Sequence, residues 1–370
     1  MKIAIVHDWL NQYGGAELVL EALKELFPEA PVYTSIYDPG AMPPFYRQWD
    51  IRTSFMDRLP FVKKHHQPFL PLYPIAFESF NLSGYDLVIS NKSGFCHGVI
   101  TGPGTVHICY CLTPTRFVWD YQEYIKGEGV GLVARKVLPL FIFFLRQWDR
   151  LAADRVDFFI AISREVKERI RKFYRRTSEV LYPPVYTSRF HISPEQDDYY
   201  LVVSRLVPYK RIDIAVEAFN LLKRPLFIVG EGRARASLER AAGPTVRFLG
   251  RVSGDELARL YSRCRALIFP GREDFGIAPL EAQASGRPVI AYAAGGALET
   301  VMEGKTGLFF REQTPEALAE AILEFERRAS EFDPVAIREN ARRFDVQNFR
   351  EKMRLFVQFA LDYVKGGAHV

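Results

Sequence analysis

Short runs rich in Val, Ile, Leu, Phe and Tyr recur along the chain and alternate with segments whose apolar residues follow helical spacing. In the first half, these runs predict strands at residues 2–6, 32–37, 86–90, 106–110 and 158–162. Between the first two lies GGAELVLEALKELF, whose apolar residues fall on one helical stripe. Strand, helix and strand in this order indicate a parallel sheet covered by helices.

The pattern breaks at residues 181–200, where three prolines and several acidic residues are typical of an interdomain linker. It then restarts, predicting strands at 199–204, 225–230, 245–250, 266–270 and 288–292, with helices from about Arg211, Ala234, Asp255 and Pro279. The tail over 315–364 has a helical pattern with breaks near Asp333 and Asp345. The fold class predicted is therefore α/β, with two parallel-sheet halves.

A chain of 370 residues exceeds what one hydrophobic core usually serves. We predict Rossmann-like domains over residues 1–185 and 195–345, and a C-terminal helix over 346–370 that crosses back to the first domain. Two such domains imply a deep cleft between facing strand ends, where open parallel sheets bind ligands.

Composition narrows the function classes. The formal net charge of +5 is too small to indicate nucleic-acid binding, but it is compatible with anionic small molecules or an anionic membrane surface. Four cysteines without CxxC spacing indicate a reduced, cytoplasmic compartment. The N-terminus, MKIAIVHDWL, lacks the shape of a signal peptide and is predicted to be a buried strand.

Two segments each support two interpretations. The apolar run VLPLFIFFL (137–145) is shorter than the roughly 20 residues needed to cross a bilayer, which leaves a buried core helix or a peripheral membrane contact. The insert at 55–82 mixes aromatics, prolines and a Lys-Lys-His-His cluster. It predicts either an irregular lid packed on the domain or a surface for a lipid headgroup or a long acceptor.

Glycines and cations follow several predicted strands. Gly14 and Gly15 open the first helix, where backbone amides can bind an anion, although such a pair can equally turn the chain. Arg205 and Lys210 lie between a strand and a helix. A guanidinium and an ammonium there could neutralise a diphosphate without a metal, or could form a solvated basic loop.

Gly230 and Gly232 also follow a strand, but the dinucleotide fingerprint needs a third glycine where Arg235 stands. The sequence therefore does not predict a nicotinamide cofactor.

The segment FPGREDFGIAPLEAQASG (269–286) carries two glutamates around a strand end. Glu273 falls in the loop and Glu281 within the following helix, so both can face a ligand that lies across the helix N-terminus. Carboxylates accept hydrogen bonds from vicinal sugar hydroxyls, and the amides of Phe275, Gly276, Ile277 and Ala278 can donate to phosphate oxygens. A ligand that is polyhydroxyl at both ends and anionic in the middle has the shape of a nucleotide sugar.

These segments together resemble the retaining glycosyltransferases of family 4, which have the GT-B fold. The resemblance rests on GGAE, SRLVPYKRID, VGEG, EDFGIAPLEAQASGRPVIA, GGALETV and GKTGLFF, and it covers nearly the whole chain. It implies an acceptor-binding N-terminal domain and a donor-binding C-terminal domain. The family needs no metal for catalysis, and no cofactor is expected.

The resemblance also implies roles for single residues. Gly14 and Gly15 would meet the donor phosphate, and Arg205 and Lys210 would bind the diphosphate. Glu281 would bind the ribose and Glu273 the transferred sugar. The remaining donor-side residues implied are Gly230, Glu231 and the 275–278 backbone.

The segment YCLTPTRFVWDY (110–121) looks like the YCHTPMRYxWD of polysaccharide and O-antigen mannosyltransferases, with Leu112 in place of the histidine. His7, Asp8 and His97 are candidates to replace it in part, each with a structural role as the alternative. Arg116 and Trp119 are expected either to shape the acceptor side or to pack the loop against the domain.

The function implied is transfer of a hexose, with mannose and GDP-mannose favoured, from a nucleoside diphosphate sugar to a hydroxyl with retention. A lipid-linked or growing polysaccharide or O-antigen glycan at the inner face of the cell membrane is the expected acceptor. The alternatives are a sugar-nucleotide epimerase or glycogen-type synthase on the same fold, or a non-catalytic nucleotide-sugar-binding subunit. No nucleic-acid partner is predicted, and the sequence specifies neither the base nor the linkage.

Overall fold

The computed structural model describes residues 1–121 and 132–366. The chain divides into two compact units. Unit 1 comprises Met1–Tyr182 and Phe349–Val370, and unit 2 comprises Pro183–Asn348.

Unit 1 is built on a seven-stranded parallel sheet with the order β3-β2-β1-β4-β5-β6-β7. The strands are β1 (Ile3–His7), β2 (Val32–Thr34), β3 (Ile51–Thr53), β4 (Leu87–Lys92), β5 (Val106–Cys111), β6 (Phe158–Ala161) and β7 (Glu179–Val180). In the centre, Ile5 pairs with Val32 on one side and with Ile89 on the other. The strand order reverses between β1 and β4, so their carboxyl ends meet at the switch point of the sheet.

Five α-helices of the described residues cover this sheet: α1 (Gly15–Leu26), α2 (Tyr73–Glu78), α3 (Arg116–Trp119), α4 (Leu132–Asp154) and α5 (Arg164–Arg169). A π-helical turn, Ile170–Tyr174, continues α5. Short 3-10 helices lie at Pro44–Gln48, Phe55–Arg58, Gln67–Leu72 and Cys96–Gly98.

Unit 2 repeats the arrangement with six parallel strands in the order β10-β9-β8-β11-β12-β13. The strands are β8 (Tyr200–Val203), β9 (Leu226–Val229), β10 (Val246–Gly250), β11 (Leu267–Phe269), β12 (Val289–Tyr292) and β13 (Gly307–Phe310). Buried aliphatic and aromatic residues cover both faces of this sheet. Here the order reverses between β8 and β11.

The helices of unit 2 are α6 (Ile212–Leu222), α7 (Arg235–Ala241), α8 (Gly254–Arg263), α9 (Ala278–Ala284), α10 (Ala297–Thr300), α11 (Pro315–Arg327) and α12 (Pro334–Arg342). Side chains of Ser253, Thr314 and Asp333 cap the N-termini of α8, α11 and α12. The 3-10 helices are Thr187–Arg189, Pro208–Lys210 and Ala329–Glu331.

The last helix, α13 (Val346–Lys365), begins in unit 2 and belongs to unit 1 from Phe349 onward. Its aromatic residues Phe356, Phe359 and Tyr363 surround Phe158 of β6. The Arg350 guanidinium pairs with Glu25 of α1. These contacts place the C-terminal helix on the first domain's sheet.

The observed sheets confirm the α/β fold class, and each of the ten predicted strands occurs. Three strands were not predicted, namely β3, β7 and β13. They contain three, two and four residues, and each lies at an edge of its sheet. β3 and β7 carry too few buried residues to stand out in the sequence pattern.

The structure also describes the two segments whose interpretation was open. In the 55–82 insert, Met56, Val62, Tyr73, Phe77 and Leu82 are buried in the core of unit 1, so the insert packs on the domain. The apolar run 137–145 lies in α4, with one face buried and the other exposed. No helix among the described residues is both long and apolar enough to cross a membrane.

Candidate functional site

Four loops at the carboxyl ends of β9, β8, β11 and β12 pack side by side in unit 2, in the same order as the strands. Glycines allow the backbones of neighbouring loops to approach closely. A Cβ on Gly230 would lie 1.9 Å from the Ser204 carbonyl oxygen, and a Cβ on Gly271 would lie 2.8 Å from that of Lys210. A Cβ on Gly295 would lie 2.3 Å from the Glu273 carbonyl oxygen, and one on Gly296 2.2 Å from Phe275. Any larger residue would push the loops apart.

The loop after β8 holds the two candidate diphosphate ligands. Lys210 ends a 3-10 helix, and its ammonium group pairs with the carboxylate of Glu273 on the loop after β11. Both side chains are largely buried. Arg205 is exposed, and its guanidinium donates to the Tyr209 hydroxyl at 2.8 Å. The structure therefore brings Lys210 and Glu273 together at the switch point between β8 and β11.

Glu281 lies in α9, partly buried, and accepts a 2.8 Å hydrogen bond from the Tyr261 hydroxyl of α8. Burial raises the pKa of Glu281, while the Tyr261 hydrogen bond and the positive charge of Arg189 oppose that shift. Burial, with contributions from the negative charges of Glu281 and Glu273, raises the pKa of Tyr261 well above its usual value. Both carboxylates of the predicted pair thus act on the same buried tyrosine.

The segment between the two glutamates needs its glycine. Gly276 has φ +89, and a Cβ there would lie 2.7 Å from Cζ of Phe269. Ile277 is the N-cap of the seven-residue helix α9, which begins at Ala278. The Gly296 amide donates to the Glu273 carbonyl oxygen at 2.9 Å, so the β12 loop supports this backbone from the side.

Glu231, which was predicted to bind the donor, forms an ion pair within unit 2 in this structure. Its carboxylate pairs with the Arg235 guanidinium, in the first turn of α7. Its carbonyl oxygen accepts from the Leu206 amide at 2.9 Å. Gly230 and Glu231 therefore hold the β8 and β9 loops against each other.

In unit 1, Gly14 is the N-cap of α1 and Gly15 its first residue. The buried Glu17 carboxylate occupies the first turn, 3.7 Å from the position of a Cβ on Gly14. His7 lies between Glu17 (Nε2 to Oε1, 3.2 Å) and the Asn91 amide nitrogen (3.1 Å from Nδ1). The negative charge of Glu17 offsets part of the positive potential that the helix N-terminus offers to an anion.

Asp8 is buried and its carboxylate is fully used by the backbone. It accepts hydrogen bonds from the amides of Ser93 and Gly94 at 2.6 Å, of Phe95 at 2.6 Å and of Cys96 at 2.8 Å. Four amide donors leave this carboxylate little capacity for a ligand. The geometry indicates that Asp8 holds the turn after β4.

His97 is also fully buried. Its Nε2 lies 3.2 Å from the Asp149 carbonyl oxygen, and its ring stacks on Tyr174. Burial, followed by the positive charge of Lys92, lowers the pKa of His97 to about 4. His7 and His97 thus both lie inside unit 1, away from solvent.

A buried polar cluster lies beneath the segment 112–119. The Thr115 hydroxyl is 3.1 Å from Lys92 Nζ and 2.7 Å from Asp149 Oδ1. Lys92 and Asp149 are fully buried. Burial disfavours the ammonium form of Lys92, but the negative charge of Asp149 opposes this, and the pKa of Lys92 is raised.

This cluster fixes Trp119, one of the residues expected on the acceptor side. Trp119 donates its indole N–H to Asp149 Oδ2 at 2.7 Å and stacks on Phe173. Leu112 follows β5 and is partly exposed, and its amide donates to the Lys92 carbonyl oxygen at 2.7 Å. Arg116 begins the short helix α3 and is partly exposed. Trp119 therefore packs the loop against the domain.

Four residues of these sites were not found from the sequence: Tyr209, Tyr261, Lys92 and Asp149. A tyrosine in a helix carries no local signal of the charged group it contacts, which is the Arg205 guanidinium for Tyr209 and the Glu281 carboxylate for Tyr261. Lys92 follows the apolar run of β4 in NKSGFC, and a lysine at the end of a central strand was a signal available in the sequence. Among the described residues, no cluster of three or more His, Cys, Asp or Glu side chains could hold a metal ion.

Comparisons with known proteins identify a domain in unit 2. Residues 187–344 match the family model described as "Glycosyl transferases group 1". An uncharacterized glycosyltransferase of Methanocaldococcus jannaschii is 24% identical over 333 residues, 88% of either chain. A GDP-mannose-dependent alpha-mannosyltransferase of Mycobacterium tuberculosis is 30% identical over 244 residues, 62% of this chain and 64% of that protein.

Among solved structures, the Anabaena protein HepE in complex with UDP-glucose matches with a TM-score of 0.71 at 18% identity, over 97% of this chain and 100% of that chain. At this identity the likeness shows the fold, which is GT-B. The matched group 1 domain contains all four glycine-packed loops.

Proposed function

We propose that this protein is a retaining glycosyltransferase, which moves a hexose from a nucleoside diphosphate sugar to a hydroxyl group. The group 1 domain in unit 2 supports the transferase class. The relative from Mycobacterium tuberculosis, named as GDP-mannose-dependent, favours mannose as the hexose and GDP as the carrier.

The observation that carries the proposal is the Lys210–Glu273 ion pair at the switch point of the unit 2 sheet. A nucleoside diphosphate hexose needs a cation beside its diphosphate and a hydrogen-bond acceptor beside its sugar hydroxyls. The pair supplies one of each within a few ångströms. Binding of the donor would separate the two charges, with Lys210 turning to the diphosphate and Glu273 to the sugar.

Stabilisation of the leaving group is the main catalytic contribution we propose. As the bond to the anomeric carbon breaks, negative charge develops on the diphosphate. The glycine-packed loops hold the Lys210 backbone, and its ammonium group, once turned to the diphosphate, meets that charge. Arg205, exposed and hydrogen-bonded to Tyr209, would add a second cation by rotating onto the diphosphate. These two side chains supply the charge that balances the diphosphate, and no metal requirement is proposed.

Retention follows if the acceptor attacks from the face that the diphosphate leaves. The departing phosphate oxygen then takes the acceptor proton, the new glycosidic bond forms on the same side, and no protein base is needed. Leu112 in place of a histidine is compatible with this step. Glu273 is proposed as a ligand of the sugar hydroxyls and not as a nucleophile.

Glu281 is proposed to bind the ribose hydroxyls as a carboxylate. Tyr261 fixes its orientation through the 2.8 Å hydrogen bond. Arg189, whose charge favours the ionised form of Glu281, lies in the 3-10 helix that precedes β8. Tyr261 and Arg189 are therefore proposed as positioning residues that act through Glu281.

We propose a lipid-linked or growing polysaccharide or O-antigen glycan as the acceptor, used at the cytoplasmic face of the cell membrane. Unit 1 would bind it, with the 112–119 segment held from beneath by Lys92 and Asp149. Arg116 and Leu112 are the partly exposed residues of that segment.

A panel of nucleotide sugars tests the proposal. The purified chain is incubated with GDP-mannose, UDP-glucose and other nucleoside diphosphate hexoses, and nucleotide release is measured with and without an acceptor lipid extract. We expect release from GDP-mannose that the extract accelerates, and little release in Glu281→Ala. Binding of the donor without release under any condition would instead indicate a non-catalytic nucleotide-sugar-binding subunit.

A further inference from the structure

Helix α4 presents an apolar stripe to solvent. Its exposed face carries Leu140 (62% exposed), Phe143 (51%), Phe144 (61%) and Leu151 (64%), with Gln147 between them. These positions are three or four residues apart and so lie on one side of the helix. The opposite side, including Ile142, Leu145 and Ala152, is buried in unit 1. We call Leu140, Phe143, Phe144, Gln147 and Leu151 the α4 stripe.

An exposed stripe of this kind is unusual for a helix that already buries its other face. Single exposed apolar residues are common, but contiguous ones mark interaction surfaces. The rings of Phe143 and Phe144 contact each other edge to face, with centroids 5.6 Å apart. The α4 stripe therefore has the character of an interaction surface.

A strongly basic segment lies next to α4. Residues 164–176, in α5 and the π-helical turn, hold seven arginines and lysines against two glutamates. Lys172 and Arg175 are exposed, and Arg171 is exposed while paired with Glu168. We call residues 164–176 the basic segment.

One direct contact and one bridge through Trp119 join the basic segment to α4. Arg176 Nη1 donates to the Ala153 carbonyl oxygen at 3.0 Å, at the end of the helix. Phe173 stacks on Trp119 with ring centroids 4.7 Å apart. Trp119 in turn faces the Arg146 guanidinium at 5.7 Å. Arg146 and Arg150 lie along one edge of the α4 stripe, so basic side chains flank the apolar ones on the helix itself.

We propose that the α4 stripe and the basic segment together bind an anionic phospholipid bilayer, with α4 lying in the plane of the interface. Apolar side chains enter the headgroup boundary, and flanking cations are attracted to anionic lipid. The surface lies apart from the donor residues of unit 2 in the chain, and the proposal goes beyond the transfer reaction.

The charges favour a membrane over a second copy of the chain. A two-fold interface brings the same patch of each subunit together. The basic segments would then approach one another, which disfavours association, whereas an anionic lipid surface neutralises them.

Co-sedimentation with large unilamellar vesicles tests this surface. We expect the chain to bind vesicles of phosphatidylcholine and phosphatidylglycerol at low salt, to dissociate as salt screens the charges, and to bind pure phosphatidylcholine weakly. The double substitution Phe143→Ser with Phe144→Ser should weaken binding roughly tenfold or more. Lys172→Glu with Arg175→Glu should do so by a similar factor, ~10-fold.

Matched controls keep the test specific. Leu221→Ser removes an equally exposed leucine from unit 2 and should leave vesicle binding unchanged. Leu140→Gln removes one apolar side chain from the α4 stripe and should weaken vesicle binding less than the double Phe143→Ser, Phe144→Ser substitution. Circular dichroism checks that each variant is folded. Thermal shift with a nucleoside diphosphate measures binding at the donor site, so loss of vesicle binding is distinguishable from loss of donor binding.

Three results would overturn the proposal. The first is a wild-type chain that stays in the supernatant with anionic vesicles at low salt. The second is a Phe143→Ser, Phe144→Ser variant that binds as the wild type does. The third is a wild-type dimer, seen by sedimentation velocity, that the same double variant disperses while vesicle binding is absent.

Discussion

Lys210 and Glu273 form an ion pair that joins the loop after β8 to the loop after β11. Each has a different partner in the proposed donor complex, since one would meet the diphosphate and the other the sugar. Without donor, each therefore satisfies the other's charge. A ligand that offers only a diphosphate would leave Glu273 without a cation, whereas a nucleotide sugar offers both groups a partner.

Glu273→Gln separates these two roles. Transfer should fall on the order of 10²-fold or more, because a preorganised group at the reacting sugar is lost. The affinity for free GDP should rise roughly fivefold, since an ion pair of ~1 kcal/mol no longer competes for Lys210. Isothermal titration calorimetry with GDP and a turnover assay measure the two effects.

The control for this substitution is Glu324→Gln, which breaks the 2.8 Å pair with Arg328 at the C-terminal end of α11. It should change neither GDP affinity nor turnover. If Glu273→Gln bound GDP no better than wild type, the pair would not compete with the diphosphate.

The pH dependence of donor binding should report Glu281. Its carboxyl group accepts ribose hydroxyls most strongly when ionised, so affinity falls as the pH drops through its pKa. Burial raises that pKa above 4.5, so the fall begins at a higher pH than for an ordinary glutamate. Tyr261→Phe removes a hydrogen bond that lowers the pKa, and should move the acid limb of the affinity profile to still higher pH.

Calorimetry across a pH series on wild type, Tyr261→Phe and Glu281→Gln checks this prediction. The Glu281→Gln variant should bind the donor weakly, and its affinity should not show this fall at acid pH. An acid limb in Tyr261→Phe that is unmoved, or that lies at lower pH, would contradict the assigned interaction.

Gly230→Ala should destabilise unit 2 and weaken donor binding. Gly230 has φ +127, and its Cβ would lie 1.9 Å from the Ser204 carbonyl oxygen. The backbone conformation alone costs ~1–3 kcal/mol for a non-glycine residue, and the clash adds to it. Thermal unfolding measures the loss. Gly254→Ala is the matched control, because nothing lies within 4 Å of its Cβ, and its melting temperature should stay equal or rise.

Stability should fall with pH below about 6.5, through two fully buried histidines. Burial lowers the pKa of His97 to about 4 and that of His107 to about 3. Between these values and the ordinary pKa of 6.5, the unfolded chain binds protons that the folded chain does not. Each histidine then removes ~1.4 kcal/mol of unfolding free energy per pH unit as the pH falls through that range.

Urea unfolding at several pH values tests this slope. His107→Gln should flatten the dependence, whatever its effect on stability at neutral pH. His65→Gln changes an exposed histidine and should leave the slope as in wild type. A slope that His107→Gln does not alter would mean that His107 is protonated alike in the folded and unfolded chain.

The sequence predicts most of the sheet architecture because strands of a parallel sheet are buried on both faces and form near-continuous apolar runs. It also predicts that Arg205, Lys210, Glu273 and Glu281 follow strands or open helices, since strand ends and glycines mark those positions. The pairing of Lys210 with Glu273 was not predictable. It depends on which strands are neighbours in the sheet, and β8 and β11 are distant in sequence.

On the acceptor side, the sequence does not separate structural polar residues from ligand-binding ones. His7, Asp8 and His97 were candidates because polar residues near strand ends often meet ligands, yet all three are buried, and four backbone amides occupy Asp8. A polar side chain that holds a loop and one that binds a ligand occupy the same positions along the chain. The two roles can be distinguished only by the hydrogen-bond partners that the side-chain atoms have in the structure.

Proton NMR of the hexose released from GDP-mannose shows whether transfer retains the anomeric configuration, if spectra are recorded faster than mutarotation. Water acts as the acceptor in this experiment, so the first anomer formed reports the stereochemistry of transfer. The α-anomer should appear first, with GDP, and Glu273→Ala should release neither at a comparable rate. A β-anomer as the first product would contradict retention, and equal release by the Glu273→Ala variant would contradict the role of Glu273.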